Sequence, residues 1–236
     1  MSDGSTTATF AFRDSTDCTW QSWRQCSLGF RNPAEPAMRS VVLRSMSGDP
    51  PSSDQTTDPR HYSVAETLQD GTAITIRAIR ADDRAGVVKA FTSLEPESIY
   101  TRFFSPRKGL TDIELKQYTD VDFDHVVALV VTTGGGDRET LIAGGRYVST
   151  AAQPATGSAE VAFTTEEDYQ GRGIAGRLLG HLVRIARQKG VSRFEAHVLT
   201  ENQAMLSVFR RSGLPMQLQH EGGIVHVTLA LTAANS

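Results

Sequence analysis

The chain has 236 residues, of which 39% are hydrophobic and 22% charged, enough apolar material for one sizeable core. Its 24 basic and 27 acidic residues leave a formal charge of −3, without the cationic surplus a dedicated nucleic-acid binder needs. No apolar run approaches the roughly 20 residues of a membrane-spanning helix, no basic segment leads into an apolar signal stretch, and two cysteines make no disulfide framework. A soluble cytoplasmic protein is expected.

Residues 1–65 read as a poorly ordered leader, rich in Ser, Thr, Pro and Asp, with linker chemistry at Ser47-Gly48-Asp49-Pro50-Pro51. A short docking element around Cys18, Trp20, Trp23 and Cys26 is one reading; an unfolded leader, or translation starting at Met38 or Met46, is the plainer one. Cys18 and Cys26 lack the companions that would complete a tetrahedral zinc site, so no metal is expected.

From residue 66 the pattern changes, and a single domain is expected over 66–233. Residues 73–79 alternate as a strand. A helix over 82–93 follows, with Asp82 and Asp83 placed to complement its N-terminal dipole. Pro96 opens a short helix through Tyr100 and Phe103, and Thr111-Asp112-Ile113-Glu114 is a capping box that opens another. The β-branched runs 125–133 and 140–149 flank Gly134-Gly135-Gly136-Asp137, which is turn chemistry, so they form a hairpin. Residues 158–165 make a further strand. In the helix over 171–189, Ile174, Leu178, Leu182 and Ile185 recur at helical spacing, and Gly190 stops it. A strand (193–199), a helix (202–211) ending at Gly213, and two strands flanking Glu221-Gly222-Gly223 complete the chain. This order predicts an α+β fold: a mixed, mostly antiparallel central sheet flanked by helices.

The stretch with chemistry is Gln170-Gly171-Arg172-Gly173-Ile174-Ala175-Gly176, between a strand and a long helix. Gly171 and Gly173 leave their amides unshielded, so the helix N-terminus can receive an anion, and Arg172 and Arg177 could add charge-assisted hydrogen bonds. Together they suit a diphosphate. A P-loop is excluded, because no Lys-Ser or Lys-Thr follows. Glycines at 171, 173 and 176 spell the dinucleotide fingerprint, but no βαβ start precedes them, which disfavours a nicotinamide site. The plain structural alternative is that Gly173, Gly176 and Gly180 only let the helix approach the sheet.

In this setting the motif resembles the acyl-CoA pyrophosphate loop (Q/R-x-x-G-x-G/A) of the GNAT N-acetyltransferase superfamily. The likeness extends to the helix that opens at Asn202 and closes at Gly213, and covers about residues 66–231. The phrase Leu94-Glu95-Pro96-Glu97-Ser98-Ile99-Tyr100-Thr101-Arg102-Phe103-Phe104 is similar to the GNAT domains of bacterial Pat-type protein lysine acetyltransferases.

The resemblance implies acetyl transfer from acetyl-CoA to a primary amine, with protein lysine as the leading acceptor. It makes Glu160 the general base, on the strand before the loop; the bland reading of Glu160 is an outward-facing strand residue. Phe163, Thr164 and Thr165 would hold the pantetheine arm by main-chain hydrogen bonds, and Asn202 would contact the cofactor or simply cap its helix. Glu166, Glu167 and Asp168 read as a solvated turn. Where many members carry a Tyr to protonate the thiolate, this chain has Phe209, so the general acid stays open; Tyr169 reads as packing, and of the histidines only His181 and His197 merit attention. The alternatives are a small-molecule amine acceptor and a non-catalytic acyl-CoA sensor. No nucleic acid or membrane partner is expected, and the oligomeric state is not specified.

Overall fold

The computed structural model describes residues 58–149 and 157–232, all within one compact unit, Ser53–Ser236. The expected leader lies, up to residue 57, outside the described residues. The elements are β1 (Ser63–Thr67), β2 (Ala73–Ala78), α1 (Arg84–Ser93), α2 (Pro96–Phe103), α3 (Asp112–Thr119), β3 (Val126–Thr133), β4 (Thr140–Ser149), β5 (Ser158–Thr165), α4 (Ile174–Gln188), β6 (Arg193–Leu199), α5 (Gln203–Arg211), β7 (Met216–Glu221) and β8 (Ile224–Ala230).

The strands form an eight-stranded sheet in the order β1-β2-β3-β4-β5-β6-β8-β7. Every neighbouring pair is antiparallel except β5–β6. The expected α+β architecture is therefore present. Strand β1, which the sequence pattern does not announce, is a short edge strand paired to β2 from Ser63↔Arg77 to Thr67↔Ala73.

Strand β3 is a run of β-branched and apolar residues buried along nearly its whole length, as a central strand covered on both faces should be. On one face lies α4. Its apolar stripe, from Ile174 through Leu178, Leu182 and Ile185, is buried in the main core with Tyr147, Phe194 and Leu229. Gly145 of β4 fits this face closely: a Cβ there would meet the Phe163 ring at 2.9 Å and Leu182 at 3.3 Å. A smaller apolar cluster joins Phe91, Leu94 and Ile99 of the α1–α2 segment to Phe103 and Leu110.

Two entry points are built from carboxylates. Asp83 stands at the N-cap of α1 and makes further bonds beyond the helix. It accepts the Arg80 main-chain N–H (2.7 Å) and pairs through both oxygens with Arg77 of β2 (2.8 Å each), tying the start of α1 to the sheet. Asp122 accepts the N–H groups of Asp124, His125 and Val126 (3.0, 2.9 and 2.9 Å) and so fixes where β3 begins.

The feature that positions the site is the β5–β6 seam. These strands pair only at Ser158↔Arg193, Ala159↔Phe194 and Glu160↔Glu195. The ladder of β5 with β4 continues to Thr165, and that of β6 with β8 to Leu199. Beyond Glu160 the sheet therefore opens, and β5 presents an edge with no strand beside it among the described residues.

Candidate active site

A cleft of about 820 Å³ occupies this opening. Its walls are β5 (Glu160, Phe163, Thr164, Thr165), the loop and first turn of α4 (Gln170, Gly171, Gly173, Ile174, Ala175), β6, and α5 from Asn202 onward. The structure thus brings the predicted site residues of three segments to one cavity, except Arg172 and Gly176, which do not line it. Gly171 and Gly173 take left-handed backbone angles (φ 72° and 83°), which only glycine adopts without strain. Regular helix begins at Ile174, later than the sequence pattern suggests, and its first internal bond is Arg177 N–H to Gly173 C=O (3.2 Å). Among the described residues, the main-chain N–H groups from Gly171 to Gly176 donate to nothing. A consecutive row of bare donors at a helix N-terminus fits an anionic diphosphate.

Residues 97–214, half of the chain, match the Acetyltransferase (GNAT) family. The chain belongs to that family. It is 32% identical over 142 residues to an acetyltransferase of Pseudomonas aeruginosa, covering 59% of this chain and 74% of that protein. It is 37% identical over 139 residues to acetyltransferase Pat of Mycolicibacterium smegmatis, covering 58% of this chain but only 40% of that longer protein. The crystal structure of the GNAT domain of S. lividans PAT superposes with a TM-score of 0.65 at 34% identity, covering 71% of this chain and 96% of the domain. The dinucleotide alternative is thereby set aside; its glycine spelling sits here on a GNAT sheet.

Within this GNAT site the side chains differ in what holds them. Gln170 Nε2 donates to the Thr165 carbonyl (3.2 Å) and to Ser98 Oγ (3.3 Å), holding α2 against the end of β5. Glu167 accepts the Glu95 N–H (2.9 Å), so it clamps α2 instead of lying in a solvated turn, and its second oxygen is buried among the described residues without a partner. Burial pushes the Glu166 pKa up. The arginines of the loop turn outward: Arg172 pairs with Asp70 (2.9 Å) and stacks on Tyr169, while Arg177 pairs with Glu66. Their side chains face the β1–β2 hairpin, so the main chain carries the anion-binding geometry, and Gly176 contributes through its backbone only. Asn202 accepts the Met205 N–H (3.0 Å), acting as a helix cap that also lines the cleft.

Glu160 and His197 share one face of the open seam, with Nδ1 of His197 3.7 Å from Glu160 Oε1. The Glu160 carboxylate beside it raises the His197 pKa against the opposing effect of burial, with Glu195 adding to the rise. The His226 ring meets His197 edge-on at 4.4 Å, and burial, then the His197 charge, lower its pKa. Glu195 is occupied by Ser158 Oγ (2.6 Å) and Arg193 Nε (3.1 Å). His181 stands outside the cleft, bonded to Glu66 (2.8 Å) and Tyr62. Phe209 is 1% exposed and packs edge-on against Phe163 at 6.3 Å, so it is a wall of the site with no proton to give.

His197 is the residue whose placement the sequence analysis left undecided. The signal was register: in a parallel pair aligned at Glu160↔Glu195, the residue two beyond Glu195 returns to the same face. That alignment is not visible in the sequence. Among the described residues no group of three or more His, Cys, Asp or Glu is placed to hold a metal ion, and no helix is long and apolar enough to cross a membrane.

Proposed function

We propose that this chain transfers an acetyl group from acetyl-CoA to a primary amine, with a protein lysine as acceptor, Glu160 as general base and the cytoplasm as its setting. The observation that carries the reading is the row of unbonded main-chain N–H groups from Gly171 to Gly176, set beside the unpaired edge of β5. The first would receive the diphosphate and the second the pantetheine arm, as an added strand is received. When bound, acetyl-CoA supplies the activated acyl group; the protein's part is to orient it and to handle a proton.

An acceptor lysine is mostly charged at neutral pH, since its ordinary pKa is about 10.4. Glu160, partly exposed at the mouth of the seam, is the carboxylate that can take that proton directly or through one water. Main-chain N–H groups between Phe163 and Thr165 that face the open edge of β5 would stabilise the charge that develops on the thioester oxygen. The resemblance of residues 94–104 to Pat-type protein lysine acetyltransferases supports the protein-lysine acceptor over a small amine.

The test is release of free thiol from acetyl-CoA in the presence of lysine peptides and of small amines. Glu160→Gln should lower kcat by about 10²- to 10⁴-fold, the usual contribution of a general base. An unchanged rate would remove Glu160 from its role. Phe209, without a hydroxyl, favours a second reading, an acyl-CoA sensor; tight acetyl-CoA binding with no turnover on any amine would establish it.

A further inference from the structure

A second cavity of about 120 Å³ adjoins the cleft, between the sheet and the α1–α3 segment. Ala162, Thr164 and Arg102 line both spaces, so the two meet at the middle of β5. Its walls are chiefly apolar, among them Phe91, Leu94, Phe103 and Leu141. Two cations stand in it, Arg102 of α2 and Arg146 of β4.

Neither guanidinium makes a hydrogen bond or ion pair with any described residue. Arg146 lies over the Tyr118 ring at 5.2 Å, and Arg102 over Phe103 at 5.1 Å. Burial, and then the positive charge of Arg102, work against the charge on Arg146; Tyr118 and Glu160 favour it. Arginine nonetheless keeps its proton at neutral pH. Two partly buried like charges lining one cavity are costly unless an anion joins them. The carboxylates nearby do not do so. Glu160 shares the face, with Arg146 set opposite Ala162, but forms no ion pair with it. Glu166 also lines the cavity, and burial favours its neutral form.

We propose that Arg102 and Arg146 form a carboxylate-binding site beside the point of acyl transfer. The apolar body of the cavity has space for a chain of several non-hydrogen atoms, and the paired guanidinium groups match a carboxylate at the chain's end. That carboxylate has two sources: the far end of a dicarboxylic acyl group on the donor, or an acidic group beside the acceptor amine. The proposal rests on the transferase reading for its setting, though not for its binding test.

The experiment uses the full chain and two matched pairs of probes. The donor pair is succinyl-CoA and butyryl-CoA with one uncharged-flank lysine peptide. The acceptor pair is two lysine peptides differing by Glu or Gln beside the lysine, with acetyl-CoA. In one pair the wild type should favour the carboxylate-bearing member. Arg146→Gln should reduce that preference in kcat/KM at least tenfold, Arg102→Gln should reduce it less, and Arg146→Lys should restore part of it. The pair that responds identifies the source. If neither preference exists, or neither moves in Arg146→Gln, the proposal is overturned. Calorimetric titration of the same four probes applies the same criterion without turnover, so failure to transfer would sink the transferase reading alone.

Discussion

Arg77 and Arg146 point from the same face of the sheet, since Arg77 lies opposite Val130 and Val130 opposite Gly144, two residues from Arg146. Their surroundings are opposite. Arg77 is 4% exposed and fully engaged: with Asp83 at 2.8 Å, with Glu139 at 3.0 and 3.2 Å, and with the Ala78 carbonyl at 3.1 Å. Glu139 is in turn held by Thr132 Oγ1 (2.8 Å). Arg146 has an aromatic ring and a second cation for company. A saturated buried charge acts as a joint, here locking the entry of α1 and the β3–β4 turn to β2. An unsaturated one keeps its field for something that arrives from outside. The entry of α1 is built from the first kind of polar group, and the cavity beside β4 holds the second.

The largest effect should separate the two arginines directly. Arg77→Met strands Asp83 and Glu139 without their cation, and loss of one partner from a buried pair costs about 3 kcal/mol. Arg146→Met removes a charge that forms no ion pair among the described residues and should leave stability unchanged or slightly higher. Urea denaturation followed by circular dichroism reads both. Equal losses would erase the distinction.

A smaller effect tests whether the start of β3 draws stability from a filled carboxylate. In Asp122, burial is outweighed by the main-chain donors of Val126, His125 and Asp124 together with the His125 ring, and its pKa falls to about 2. Because the folded value is depressed, the contribution is present above the unfolded value, about 3.9, and is lost as pH falls through about 2. The side chain is 49% exposed, so solvent screening reduces the contribution to about 1 kcal/mol. Asp122→Ala should therefore destabilise by about that amount at pH 7 and by progressively less toward pH 2, read from unfolding midpoints. A difference that persists undiminished into acid would show that the turn, not the charge, fixes the start of β3.

The same division explains how much the sequence disclosed. Periodic apolar runs and glycine stops announced β2–β8 and α1–α5, because each is a local pattern. The loop at Gly171–Gly173 was legible because left-handed glycines and a helix N-terminus are local too. Strand β1 was not, since five residues with mixed burial carry little pattern of their own and are ordered by β2. The outward turn of Arg172 and Arg177, the clamp by Glu167, and the meeting of Arg102 with Arg146 all depend on segments far apart in the chain. So does the face shared by Glu160 and His197, which a shift of one residue in the parallel register would abolish.

The smallest expected effect lies in that last pair. The folded His197 pKa is raised, first by the neighbouring Glu160 carboxylate. A raised folded value means the pair stabilises fully below the unfolded value, about 6.5, and the contribution disappears as pH rises through the folded value. Glu195 and His226 face the same ring, the first favouring its charge and the second disfavouring it. His197→Gln should thus cost under about 1 kcal/mol at pH 6 for so exposed a pair, and nothing measurable at pH 9. Catalysis should run the other way. While His197 is charged it holds the Glu160 carboxylate, and once it is neutral that carboxylate is free to take the amine's proton. The rise of kcat with pH should therefore shift toward lower pH in His197→Gln, over the interval in which its stability gap closes. A gap that widens with pH, or a rate profile that does not move, would show that the seam holds Glu160 by something other than this charge.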